Sequence, residues 1–154
     1  MIALLQRVTQ AKVEVAGQMI AQIGAGLLVL VAVERRDSVA QAERLAERIL
    51  GYRVFNDAGG KMNLSVAAVQ GGLLLVPQFT LAADTRRGQR PSFAPAAEPA
   101  LGRELFEHLC STACRAHPST KSGEFGANMQ VSLTNDGPVT FDLRVPPEAQ
   151  VPQV

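Results

Sequence analysis

The sequence predicts an α+β fold: a compact, mixed but largely antiparallel β-sheet core, in β/β/α layers, with two main helices packed on one face. Three observations carry this. The run AGLLVLVAV at 25–33 is continuously apolar yet too short to cross a bilayer, so it reads as a strand covered on both faces. Two segments, 38–50 and 99–115, repeat apolar residues at helical spacing. Residues 12–23 alternate apolar and polar around Ala16-Gly17, and residues 126–145 close the chain in strand-like sequence around Asp136-Gly137.

In order along the chain, KVEVAGQMIAQI predicts a hairpin, and Gly24-Ala25-Gly26 leads into the buried strand. Ser38 with Gln41 forms a capping-box pattern ahead of Val39, Ala42, Leu45, Ala46 and Ile49, a one-faced apolar set. YRVF is a short strand, NDAGGK a turn, and Leu73 to Val76 a second buried strand. ADTRRGQRPSFAPAAEP holds three arginines and three prolines with little periodicity and reads as loop. Pro99 suits the first helical position and Glu98 the positive end of the dipole. Leu101, Leu105, Phe106, Leu109, Cys110 and Ala113 fall on one arc of that helix. LTNDGPVTF reads as strand, tight turn, strand. The proline is odd there, because it removes a donor where the returning strand should pair.

With 154 residues, 47% hydrophobic and 19% charged, the chain fits one globular domain, 1–145, followed by a Pro-rich tail, 146–154. Net charge is +1, so bulk charge does not argue for a nucleic-acid or membrane partner, and any RNA contact must be local. Absence of tryptophan and a single tyrosine disfavour a broad base-stacking platform. The N-terminal stretch lacks a basic leader before a long apolar core, and Cys110 and Cys114 suit reduced thiols; a cytoplasmic, non-membrane protein is expected.

Residue chemistry alone leaves several readings. Cys110, Cys114 and His117 share one side of a helix but not a standard zinc spacing, and ordinary packing is the expected role; no metal or cofactor is called for. Arg86, Arg87 and Arg90 cluster beside Gly88, as in loops that grip phosphates, and equally as in solvated surface. Thr80, at the end of VPQFTL, lacks a base nearby in sequence, whereas backbone amides at a strand end carry fixed dipoles able to receive an oxyanion. From the residues, Gly137-Pro138 reads as a turn with a trans proline at a sheet edge.

PQFTLAADTRRGQRPSF together with MQVSLTNDGPVTF resembles the D-aminoacyl-tRNA deacylase family, and the likeness runs from MIALLQRVTQAKVEV to Leu143. The resemblance implies the fold of those deacylases and a homodimer with its active sites at the interface. It also implies a cis Gly137-Pro138 bond that reaches into the partner's site. The substrate it implies is the aminoacyl ester at the 3′ acceptor end of tRNA, with Gln78, Phe79 and Thr80 lining the ester. Arg7 would brace Gly137 and Pro138, and Phe125 and Met129 would lie near the terminal adenine. With the α-amino group and the carbonyl held, the Cβ of an L residue would strike the Gly-Pro backbone and a D side chain would point outward. Glycine has no Cβ, so glycyl-tRNA, such as glycine mischarged on alanine tRNA, is an expected substrate as well. The family usually has serine at the position of Pro77. That departure keeps alive an alternative, a non-catalytic RNA- or nucleotide-binding homologue; a metal-dependent hydrolase using Cys110, Cys114 and His117 is a third.

Overall fold

The computed structural model describes residues 1–147. In chain order it holds β1 (Ile2–Val15), β2 (Gln18–Ile23), β3 (Gly26–Ala32), α1 (Val39–Gly51), β4 (Arg53–Asn56), β5 (Met62–Ser65), β6 (Gly72–Pro77), a 3₁₀ turn (Phe79–Ala82), α2 (Pro99–Ala116), β7 (Thr120–Ser122) and β8 (Met129–Arg144). The expected α+β class is what forms. The part of the tail from residue 148 onward lies outside the described residues.

β1 is the spine. One of its edges is shared, β3 pairing with Ile2 to Val8 and β2 with Ala11 to Val15, while β8 runs antiparallel along the other edge. β6 lies parallel to β3, and β7 parallel to β6. Lys121 on β7 donates through Nζ to the Gln22 carbonyl of β2 at 2.8 Å, so the six-stranded sheet curls back nearly into a barrel. β4 and β5 form a separate two-stranded sheet. The β1–β2 turn is the expected one: Ala16 and Gly17 both have positive φ, 49° and 78°, which matches the twist of the flanking strands.

Alternation along β3 and β6 builds two cores. Leu27, Val29, Val31, Leu73 and Leu75 face α1 and α2. Leu28, Leu74 and Val76 face the interior with Val8, Val13 and Ile23. These strands are therefore covered on both sides, as the unbroken apolar run requires. Each such side chain removed from water contributes about 1.5–3 kcal/mol. In the α1 cap, Gln41 Oε1 accepts from the Ser38 N–H at 2.9 Å and from its hydroxyl at 2.7 Å. Pro99 opens α2 with Glu98 as its N-cap. Met1 adds a feature that no pattern announces. Its ammonium is buried against Asp37 Oδ1 at 2.8 Å and the Val145 carbonyl at 2.7 Å, tying the end of β8 to the start of β1.

The terminal hairpin expected from LTNDGPVTF does not form. Both arms of β8 run the same way along β1. The register passes from Gln6 opposite Thr140 to Val8 opposite Asn135, so Asp136 to Val139 are thrown out as a loop facing Arg7 alone. The Asp-Gly signal is local and real. What decides the path is β1, long enough to offer a ladder to both arms, so the chain leaves the sheet and rejoins the same edge.

Candidate functional site

β6 delivers Pro77 and Gln78 to the rim of a cavity of roughly 290 Å³, also lined by Phe79, Phe125, Met129 and Val131. Four residues singled out in the sequence, Gln78, Phe79, Phe125 and Met129, thus meet in one cleft. The Gln78 N–H is spent on the Val31 carbonyl at 2.7 Å, which continues the β3–β6 ladder one step and fixes the strand end. The next two residues enter the 3₁₀ turn. Among the described residues, the Phe79 and Thr80 amides find no acceptor, and both residues are exposed. Two neighbouring donors at the start of a helical turn are suited to receive an oxygen that gains negative charge.

The Thr80 hydroxyl accepts from the Gln78 side-chain Nε2. Among the described residues, no carboxylate or imidazole bonds to it. The two histidines are engaged elsewhere: His117 Nε2 lies 2.7 Å from the Gly71 carbonyl, and His108 Nε2 lies 3.1 Å from Glu43 Oε1 on α1. Cys110 is half-buried beside Ser122, and burial pushes its thiol up to about 12. Cys114 is exposed. Pro77 costs the sheet little. The Gln78 N–H points to β3, so the Pro77 nitrogen points the other way, past the end of β7, whose last pair is Ser122 with Leu75.

The Gly137-Pro138 peptide is cis. Gly137 sits at φ +131°, and a Cβ placed there would lie 2.7 Å from Val139 Cγ2, so only glycine fits. Arg7, its side chain 11% exposed, reaches under the loop: Nε lies 3.3 Å from both the Asp136 carbonyl and Asp136 Oδ2, and Nη1 donates to the Val54 carbonyl at 2.8 Å. Asn135 staples the loop from below, its Oδ1 accepting from the Val139 N–H at 2.9 Å and its Nδ2 donating to Thr140 Oγ1 at 2.8 Å. Gly137 and Pro138 are themselves exposed. They do not line the cleft of their own chain.

Three contributors were not singled out in the sequence. Asn135 looks like part of a turn. Phe93, from the far end of the arginine loop, packs on Phe79 with ring centroids 5.0 Å apart. Arg103 lies over the Phe125 ring, 5.0 Å from its centroid, and fixes one wall of the cleft. A cue exists only for Arg103, which occupies the exposed arc of an amphipathic helix.

A small α+β domain that presents main-chain donors at a strand end, in a cleft walled by aromatic and apolar side chains, has the form of a ligand-binding enzyme domain. Residues 4–144 match the family described as D-Tyr-tRNA(Tyr) deacylase. A protein of Nitrosococcus oceani named D-aminoacyl-tRNA deacylase is 63% identical over 150 residues, covering 97% of each chain. A solved structure titled c-Myc DNA Unwinding Element Binding Protein superposes with a TM-score of 0.91 at 37% identity, covering 95% of this chain and 99% of that one. Another, titled a probable eukaryotic D-amino acid tRNA deacylase, shares the fold with a TM-score of 0.81 at 18% identity, covering 92% of this chain and 98% of the other. The chain belongs to the D-aminoacyl-tRNA deacylase family.

Proposed function

We propose that the protein hydrolyses the ester linking a D-amino acid to the 3′ end of tRNA, acting in the cytoplasm as a homodimer. In this reading each protomer's Gly137-Pro138 loop completes the partner's cleft. One observation carries it. The loop is held by Arg7 and Asn135 and left exposed, away from its own cleft, while among the described residues that cleft offers unpaired donors.

Water adds to the ester carbonyl, the bond to the ribose oxygen breaks, and a proton passes to that oxygen, giving free amino acid and tRNA. The Phe79 and Thr80 amides receive the carbonyl oxygen as charge develops, and the Gln78 side chain orients the Thr80 hydroxyl. Phe125 and Met129 hold the terminal adenine. An ester is already activated, and among the described residues no base bonds to Thr80, so in this reading the ribose 2′-hydroxyl assists water. Carbonyls of the Gly-Pro loop fix the α-amino group, so an L side chain meets backbone and a D side chain faces outward. Glycine escapes that filter.

The test is deacylation of D-tyrosyl-, L-tyrosyl- and glycyl-tRNA side by side. Cleavage of the D and glycyl esters with the L ester spared supports the reading; equal cleavage of D and L removes the stereochemical account. The solved relative whose title names DNA-element binding favours a second reading, nucleic-acid binding without hydrolysis. Binding of all three tRNAs with none cleaved would establish that instead.

A further inference from the structure

The arginine loop between the 3₁₀ turn and Phe93 has no part in the site described so far. It is tied at both ends. Asp84 and Ser92 exchange backbone hydrogen bonds at 2.8 and 3.1 Å, and Phe93 rests on Phe79. Its base is therefore registered to the cleft, two residues beyond the turn that carries Thr80. Inside the loop the three arginines differ. Arg86 is consumed: its Nε and Nη2 bond the two Asp84 oxygens at 2.8 and 2.7 Å, and this pairing holds the Asp84 carboxyl far below the usual carboxylate range. Arg87 and Arg90 are exposed, and among the described residues neither has an acidic partner.

The charge is also misplaced for a mere solvated loop. Residues 84–92 carry a net +2 in a chain whose total is +1, so the remainder of the chain is net negative. An RNA-directed protein without bulk positive charge needs a local site for phosphate. Here, among the described residues, two guanidiniums without an acidic partner stand on a loop whose base adjoins the cleft and whose one acid is already neutralised.

We propose that Arg87 and Arg90 bind backbone phosphates of the acceptor strand of tRNA, next to the nucleotide in the cleft. They hold the RNA by its charge and do not touch the ester. This rests on the reading of the cleft as an aminoacyl-tRNA site. Arg86 and Asp84 act as the internal brace that keeps the other two pointing outward.

The experiment compares wild type, the double variant Arg87→Ala/Arg90→Ala, the double variant Arg87→Lys/Arg90→Lys, and Arg44→Ala as an exposed arginine on α1 away from the cleft. Binding of D-tyrosyl-tRNA and its single-turnover cleavage are measured from about 50 to about 300 mM salt. Loss of two single-strand phosphate contacts reduces the slope of log affinity against log salt by about 1.4. It should weaken half-saturation by roughly tenfold at the low-salt end. The rate at saturating enzyme should stay within about twofold of wild type. Lysines restore the slope, and Arg44→Ala leaves it unchanged. An unaltered slope in the alanine double variant overturns the proposal, and so does a collapse of the saturated rate, which would put these arginines on the reacting atoms. Failure of wild type to cleave any aminoacyl-tRNA would defeat the hydrolytic reading alone, because the slope is still read from binding.

Discussion

Replacing Arg7 by alanine severs three contacts at once. The bond from Nη1 to the Val54 carbonyl, 2.8 Å and partly buried, is the strongest; its loss leaves a carbonyl short of its partner and costs about 1.5–3 kcal/mol. The paired contacts to Asp136 are 3.3 Å long, and the Asp136 carboxylate is half-exposed, so they add under about 1 kcal/mol. The sum is about 2–4 kcal/mol, which for a domain of this size lowers the melting temperature by roughly 4–16 °C. The same cut releases the Gly137-Pro138 loop from below, leaving the Asn135 bonds to hold it. Calorimetry gives the melting shift, and single-turnover cleavage of D-tyrosyl-tRNA at a temperature where the variant is fully folded gives the functional effect. Cleavage of the D ester should fall by tenfold or more and its preference over the L ester should narrow. Arg7→Lys, with a point charge in place of a fork, should lie between. An Arg7→Ala protein that melts like wild type and cleaves at the wild-type rate would refute the bracing argument.

Thr80→Val removes the acceptor for the Gln78 side chain but keeps the Phe79 and Thr80 backbone donors. Single-turnover cleavage should persist within about tenfold of wild type; abolition with tRNA binding intact would make the hydroxyl the nucleophile. Gly137→Ala forces a Cβ to 2.7 Å from Val139 Cγ2 at φ +131°, so it should cost about 1–3 kcal/mol in unfolding experiments and disturb D-ester cleavage. Wild-type stability and rate would contradict this. Cys110 has an ordinary thiol value of 9.0, pushed up to about 12 by burial. The folded state then keeps its proton where the unfolded chain releases it, so stability should decline as pH climbs from about 9 toward 12. Denaturant melts of wild type and Cys110→Ala across that window check the sign, a decline equally steep in both showing that Cys110 is not its source. Alkylation at pH 8 should label Cys114 well before Cys110.

What could be read from the sequence followed from periodicity and caps. Residues 25–33 showed a two-sided strand because both cores need apolar contacts from it, and the Ser38–Gln41 pair announced the start of α1 because capping is local. LTNDGPVTF misled as to path because a turn signal does not say which strand the chain will rejoin; that depends on β1, more than a hundred residues away. β5 (MNLS) was silent, being four residues with little apolar pattern. Gln78, Phe79, Phe125 and Met129, which share one cleft, were singled out through motif likeness, and residue chemistry by itself named none of them. Asn135, Phe93 and Arg103 stayed hidden because each acts on a neighbour that folding alone brings near.

The pairing of β1 with β8 has a consequence for how the protein comes into being. β1 waits for β8, its outer neighbour, until every element between them has emerged from the ribosome. Until then its edge is an open template with an affinity for any extended peptide, a nascent sister chain included. Synthesis rate and chaperone supply, more than final stability, should therefore govern how much of this protein a cell recovers in usable form.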